Sequence, residues 1–407
     1  MISRWTPRVR LEPDSTSRHT GEPFMRVHRR LSVLAGLLAI TLTLTAVAPG
    51  PIAAGETAPG LTARVIQDGL AIPWDVAFTP DRRMLVTERA GRVRVYRSAA
   101  INAELLNTTY LRATVQTGEA GMMGIAVDRQ FETNRRVYVC ATREYRGEEV
   151  RNQVIAYTLA DNNKLRYSHF VIRDGMDWAS IHNGCAVEHG PDGKVWVAMG
   201  DASQPALAQD PNSLNGKILR ANPNGTVPAD NPVLPGASRR TFAYSMGHRN
   251  PQGIAFQPGS GRVYAVEHGP ERDDEINLIR PGANYGWPCV TGFGRTYASA
   301  SYCELADVYA DPAWASGSPT LATSNAAFAL GSQWAGWEND LFVATLKQDD
   351  TRRFVPSTSG TVMTLAQTLF DNQYGRLRSA TMGPQNQLIL TTSNGTNDRV
   401  IRIKATP

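Results

Sequence analysis

The residues best suited to chemistry crowd into positions 244–288. Arg249 and Asn250 stand between turn-formers, Gly247 before them and Pro251 and Gly253 after. A strand-like run over 262–266 follows, and behind it come the carboxylates Glu267, Glu271, Asp273, Asp274 and Glu275. Hard oxygen donors gathered in one loop suit Ca²⁺. A fixed arginine beside them suits a polyanionic ligand, held partly by a protein cation and partly by metal. The plainer alternative is a solvated acidic loop. The adjoining Gly269-Pro270 and Asn284-Tyr-Gly-Trp-Pro288 favour a built site.

A second candidate is His182, in Ser180-Ile-His-Asn-Gly-Cys185, just ahead of a strand-like run. An imidazole on such a loop can act as a general base. Asp201 ends the next strand of the same unit and could fix the tautomer of that ring. The alternatives are a histidine that only bonds its surroundings and an aspartate that only makes a turn. Cations collect later in the chain. Lys347 ends one strand-like run, and Arg376 and Arg378, two apart, share a face if their segment is extended. With Arg249 they make four, although spacing alone does not bring them together.

The elements that must position these residues repeat. Trp74-Asp-Val-Ala-Phe leads to Met84-Leu-Val-Thr-Glu88, and Gly124-Ile-Ala-Val leads to Arg136-Val-Tyr-Val-Cys140. Comparable pairs start at Cys185, Gly253 and Ser379, with a weaker beat at Trp337. Each unit is a short strand, a Pro/Asp/Gly turn, and a strand of β-branched and aromatic residues. Six beats over about 350 residues predict an all-β fold, a six-bladed β-propeller. Two sandwiches in tandem are the competing arrangement, but no linker-like segment divides the chain. Residues 61–66 are expected to add a strand to the last blade and close the ring. Loops from all blades then meet at one end of the central channel, where residues distant in sequence can share a ligand.

Within the 407 residues, positions 1–54 read as a leader. Met25-Arg-Val-His-Arg-Arg is a positive n-region, residues 31–48 are apolar, and Ala46-Val-Ala48 and Ile52-Ala-Ala54 are candidate cleavage sites. A secretory signal with Met25 as start is the reading, a membrane anchor the alternative. This makes residues 55–407 a single catalytic propeller domain, secreted or extracytoplasmic, with no stable membrane span. The leader holds seven of the 42 basic and three of the 37 acidic residues, so the remainder is nearly neutral. No basic stripe points to nucleic acid. Four cysteines in an exported chain suggest two disulfides. Cys289–Cys303 is favoured, closing one loop for roughly 3 kcal/mol, which leaves Cys140 and Cys185 to pair across neighbouring strands.

Taken together, the motifs resemble the soluble glucose/sorbosone dehydrogenase family of quinoprotein aldose sugar dehydrogenases. The matching pieces run from about residue 69 to 403. They include Gly118-Glu-Ala-Gly-Met-Met-Gly124, His182-Asn-Gly184 with Gly200-Asp201, Gly247-His-Arg-Asn-Pro-Gln-Gly253, Glu267-His-Gly-Pro270 with Asp274-Glu-Ile-Asn-Leu278, and Asn284-Tyr-Gly-Trp-Pro288. The resemblance implies a six-bladed propeller using pyrroloquinoline quinone (PQQ) and Ca²⁺. It implies that His182 takes the proton of the sugar C1 hydroxyl as hydride passes to PQQ, and that Asp201 orients His182. By the same resemblance, Arg249 would lie beside the reactive carbonyl. Glu119, Asn250, His268, Lys347, Arg376 and Arg378 fall at cofactor positions. Gly269 and Pro270 match carbonyl ligands of the Ca²⁺ that touches PQQ, and Asp274, Glu275 and Tyr285 match the neighbourhood of further calcium. PQQ carries three carboxylates, so cations would offset its charge.

The chain also departs from the family. Glu119 and His268 stand where some members carry glutamine, and Ile181 where one branch has a carboxylate. Ser379 replaces a common aspartate, and Thr320-Leu-Ala-Thr-Ser-Asn325 replaces a more usual segment near the sugar. These changes leave the hydride-transfer residues in place and the choice of sugar open. The expectation is an exported enzyme that oxidises aldoses at C1 to lactones and passes electrons to an external acceptor. The rivals are a Ca²⁺-dependent propeller lactonase and a non-catalytic carbohydrate-binding propeller.

Overall fold

In a computed structural model, the described residues are 58–145, 147, 149–303 and 308–407. The leader read from residues 1–54 lies outside them. No helix among the described residues is long and apolar enough to cross a membrane.

Among the described residues, the strands form six four-stranded antiparallel sheets and one two-stranded hairpin. Their innermost strands are Pro73–Phe78, Met122–Val127, Gly184–His189, Pro251–Phe256, Thr323–Phe328 and Leu377–Met382, for blades one to six in turn. Each innermost strand packs on the next, and that of blade six packs on that of blade one. The ring is therefore closed, and the molecule is a six-bladed β-propeller, as the repeat predicts. Blade six takes its outermost strand from the other end of the chain. Gly60–Leu70 pairs antiparallel with Asp398–Thr406, from Gly60 opposite Thr406 to Leu70 opposite Asp398.

The sequence makes these strands because every position is covered. The second strands Met84–Glu88, Val195–Met199 and Leu341–Thr345 are buried at all five residues. A strand sandwiched between neighbouring blades has no solvent face, so it reads as an unbroken apolar run rather than an alternating one. The core accordingly lies between blades. Met123, Tyr138 and Val154 of blade two interlock with Val187, Val197 and Leu219 of blade three. Each such aliphatic side chain contributes about 1.5–3 kcal/mol on full burial. At the axis, Asp75 accepts hydrogen bonds from Ser379 Oγ (2.8 Å) and Asn325 Nδ2 (3.2 Å), tying blades one, six and five. Burial pushes its carboxyl up to about 6.

Both disulfides form as expected from sequence. Cys140–Cys185 joins blade two to blade three, and Cys289–Cys303 closes a loop of blade four.

Candidate active site

The loops that lead into the innermost strands and those that follow the second strands lie at the same end of each sheet and gather at one mouth of the ring. His182 precedes the innermost strand of blade three, and Asp201 follows the second strand of that blade, Val195–Met199. Antiparallel pairing of these strands sets the two loops side by side. Contact is close enough that a Cβ on Gly200 would overlap the His182 carbonyl oxygen, so only glycine fits there. His182 itself takes a left-handed backbone, φ 61°.

The geometry assigns the ring its tautomer. His182 Nδ1 lies 2.8 Å from Asp201 Oδ1. That carboxylate also accepts the Ser203 backbone N–H at Oδ1 (2.8 Å) and the Trp287 indole N–H at Oδ2 (2.8 Å). A carboxylate serving as acceptor on both oxygens leaves Nδ1 as the protonated nitrogen and Nε2 as the basic one. Among the described residues, Nε2 has no hydrogen-bond partner. His182 lines a cleft of about 190 Å³ together with Glu119, Arg249, Asn250, His268 and the Gly269-Pro270 turn.

Glu119, from the loop before blade two, reaches across. Its Oε2 accepts the His182 backbone N–H (2.9 Å) and Asn250 Nδ2–H (3.4 Å). Asn250 Oδ1 accepts the Gly184 backbone N–H (3.1 Å). Blades two, three and four are thus joined under the base. Arg249 donates to the His268 carbonyl (3.3 Å), and its guanidinium lies 5.3 Å from the centre of the Trp287 ring.

The four predicted cations bond to neutral oxygens. Lys347 donates to Thr320 Oγ1 (3.2 Å), on the wall of the cleft. Arg376 donates to the Ser393 carbonyl and Arg378 to Ser393 Oγ, each at 3.2 Å. Arg378 is 5% exposed, rests 3.7 Å over Trp74 and also donates to Gln252. Burial pulls its pKa down to about 9, so it is still a cation at neutral pH. His268 reports how these groups converge. Burial, then Arg249, Arg378, His182 and Arg376, push its imidazole down to about 3. Among the described residues, Arg249 Nε, Gln252 Nε2 and His268 Nε2 are buried here without a hydrogen-bond partner.

The acidic stretch is not a solvated loop. Glu267, Asp273, Asp274 and Glu275 are buried, while Glu271 is exposed. Asp274 accepts backbone N–H bonds from Gly269 (2.9 Å), Leu321 and Ala322 (2.9 Å). It therefore clamps the Gly269-Pro270 turn. The carbonyls of Gly269 and Pro270 accept no hydrogen bond among the described residues. Glu275 lies behind this turn with Glu267 and Asp273, around a cavity of about 10 Å³. Burial, and then the neighbouring Glu267, hold its carboxyl well above the usual range. Tyr285 donates its hydroxyl to the Leu278 carbonyl (2.5 Å) and stacks on His248. Among the described residues, no three His, Cys, Asp or Glu side chains converge to hold a metal. The two carbonyls, with Asp273 and Glu275 behind the turn, are nonetheless oxygen donors, the type that Ca²⁺ takes.

Trp287 has a role that sequence reasoning did not assign. It sits inside the Asn-Tyr-Gly-Trp-Pro run, but an indole reads as core material until its N–H is seen on Asp201. Trp74, beneath Arg378, is a similar case.

The His182–Asp201 pair shares its cleft with Arg249 at the mouth of a six-bladed propeller, and comparison with known proteins places the chain among the sugar dehydrogenases. The chain belongs to the glucose/sorbosone dehydrogenase family, whose model matches residues 70–402. It is 28% identical to the aldose sugar dehydrogenase of Escherichia coli K12, covering 91% of this chain and 98% of that protein. It is 30% identical to quinoprotein glucose dehydrogenase B of Acinetobacter calcoaceticus, over 68% of this chain and 64% of that one. Among solved structures, the PQQ-bound aldose sugar dehydrogenase of Streptomyces coelicolor superposes with a TM-score of 0.71 at 27% identity. That match covers 86% of this chain and 100% of the other.

Proposed function

We propose that this chain is a PQQ- and Ca²⁺-dependent dehydrogenase that oxidises aldose sugars at C1 to lactones and passes the electrons to an external acceptor. The observation that carries the reading is the buried Arg378, held among neutral partners at the same mouth as Arg249 and His182. Glu119 and Asp398 act on it only through space, and a buried cation hydrogen-bonded to neutral oxygens favours an anionic ligand. PQQ, when bound, supplies a two-electron acceptor for the C1 hydride.

The chain's own residues have separable tasks. His182 Nε2 takes the C1 hydroxyl proton, and Asp201 holds the ring and stabilises the imidazolium that forms. Arg249, Lys347, Arg376 and Arg378 would hold the cofactor carboxylates and quinone oxygens, with Asn250, His268 and Glu119 around them. Gly269 and Pro270 would offer their carbonyls to Ca²⁺ at the cofactor. Asp274 would act by clamping that turn, and Glu275 and the Tyr285 neighbourhood would serve a structural calcium. Export through the leader at 1–54, with 55–407 as the catalytic domain, belongs to the same proposal. A neutral lactone would not need the four cations, which argues against the hydrolase reading.

The test uses purified protein supplied with PQQ and Ca²⁺, an artificial electron acceptor and a panel of aldoses. Sugar-dependent reduction of the acceptor is expected, and His182→Ala should lower turnover by roughly 10²–10⁴-fold while PQQ still binds. A parent protein that binds PQQ and oxidises no aldose would overturn the reading.

A further inference from the structure

Lys217 opens the third strand of blade three, Lys217–Ala221, and is wholly buried. Its Nζ donates to the carbonyls of Leu207 (2.8 Å), Ala208 (3.1 Å) and Asn215 (2.8 Å). Burial draws its pKa down to about 7, and the carboxylate that acts on it is Asp210, at a distance. Three acceptors are met in full only by the three N–H bonds of an ammonium, since a neutral amine has two. The ammonium form is therefore the one that this cage of carbonyls holds.

The cage lies at the root of the loop that carries Asp201. On one side, the Gly216 N–H and Asn215 Nδ2–H both donate to the Gly200 carbonyl, at 3.0 and 3.1 Å. They hold the residue before Asp201. On the other side, Ala208 leads into Gln209, whose side chain donates to the Trp287 carbonyl (2.6 Å) and exchanges hydrogen bonds with Asn284. Trp287 returns its indole N–H to Asp201. A closed circuit therefore runs from Lys217 through both arms of the loop to the two contacts that aim the carboxylate.

We propose that Lys217 is a positioning residue whose buried ammonium draws both arms of the 201–216 loop together and so fixes Asp201 against Nδ1 of His182. This rests on the reading of His182 as the base, but its geometric content can be measured without turnover.

The experiment is proton NMR of the full-length, cofactor-free protein. A downfield, exchange-protected Nδ1–H resonance is expected, identified by its loss in His182→Ala. Lys217→Met keeps the length of the stem and removes the ammonium. That resonance should broaden away in the variant. Loaded with PQQ, the variant should lose about 10-fold or more in kcat, with PQQ affinity held within about twofold. A resonance that persists unchanged in a folded Lys217→Met protein overturns the proposal, whatever happens to its melting temperature. If Lys217→Met does not fold, Gln209→Leu breaks the same circuit while leaving the ammonium and its three carbonyls in place. An unaltered resonance in that variant is equally fatal. Should His182→Ala keep its activity while Lys217→Met loses the resonance, the base assignment falls and the positioning role stands.

Discussion

Arg378 is the most exposed to test among the site residues, because its two roles pull in opposite directions. In the ligand-free chain it is a buried cation that rests on Trp74 and hydrogen-bonds Gln252 and Ser393, with Glu119 acting on it through space. Such a group weakens the fold until an anion arrives. Arg378→Met should therefore leave the melting temperature of the cofactor-free protein unchanged or raise it by a few degrees. The same change should weaken PQQ binding roughly 10- to 100-fold, the worth of a charge-assisted hydrogen bond. A thermal melt and a cofactor titration decide it, and a lower melting temperature with unaltered affinity would mark Arg378 as mere packing. At this scale the sequence was legible where spacing within one blade sets a contact, as for His182 and Asp201. It was less so where one atom of a side chain decides. Asp274 reads as a candidate near calcium, yet its oxygens are taken by three backbone N–H groups. Nothing in a tryptophan's position shows which acceptor its N–H will find.

Elements were easiest to read where they are longest buried. The inner strands follow from apolar runs between turn-formers, but blade four hides its outermost strand. Trp314–Ala315 is only two residues long and follows a long insertion bearing the hairpin of Val290–Thr291 and Arg295–Thr296. Two residues have no periodicity to detect. The disulfides act at this scale. Cys140–Cys185 spans 45 residues and ends three residues past His182, whereas Cys289–Cys303 spans 14. Chain entropy assigns about 4 kcal/mol to the longer loop and about 3 to the shorter. Replacing Cys140 and Cys185 by alanine should lower the urea midpoint more than replacing Cys289 and Cys303. The reverse order would mean that the 289–303 loop carries more of the stability than its length implies.

At the scale of the molecule, the ring count was legible because one short unit recurs, while closure had to be inferred from a single strand left over at one end. Gly60–Leu70 fills that place, with Ile66 and Leu70 fully buried against blade six and its neighbour. A chain beginning at Pro73 would leave blade six three-stranded and uncover those contacts. It should lose its cooperative melt and its capacity for PQQ. A sharp transition in circular dichroism with full binding would show that the ring tolerates an open seam. The seam also orders events as the protein is made. Its outermost strand, Gly60–Leu70, is synthesised about 330 residues before its partner at 398–406. Arg376 and Arg378 are translated late as well. A growing chain therefore carries most of its blades before it can close the circle, and the two arginines join the mouth only as that last seam forms.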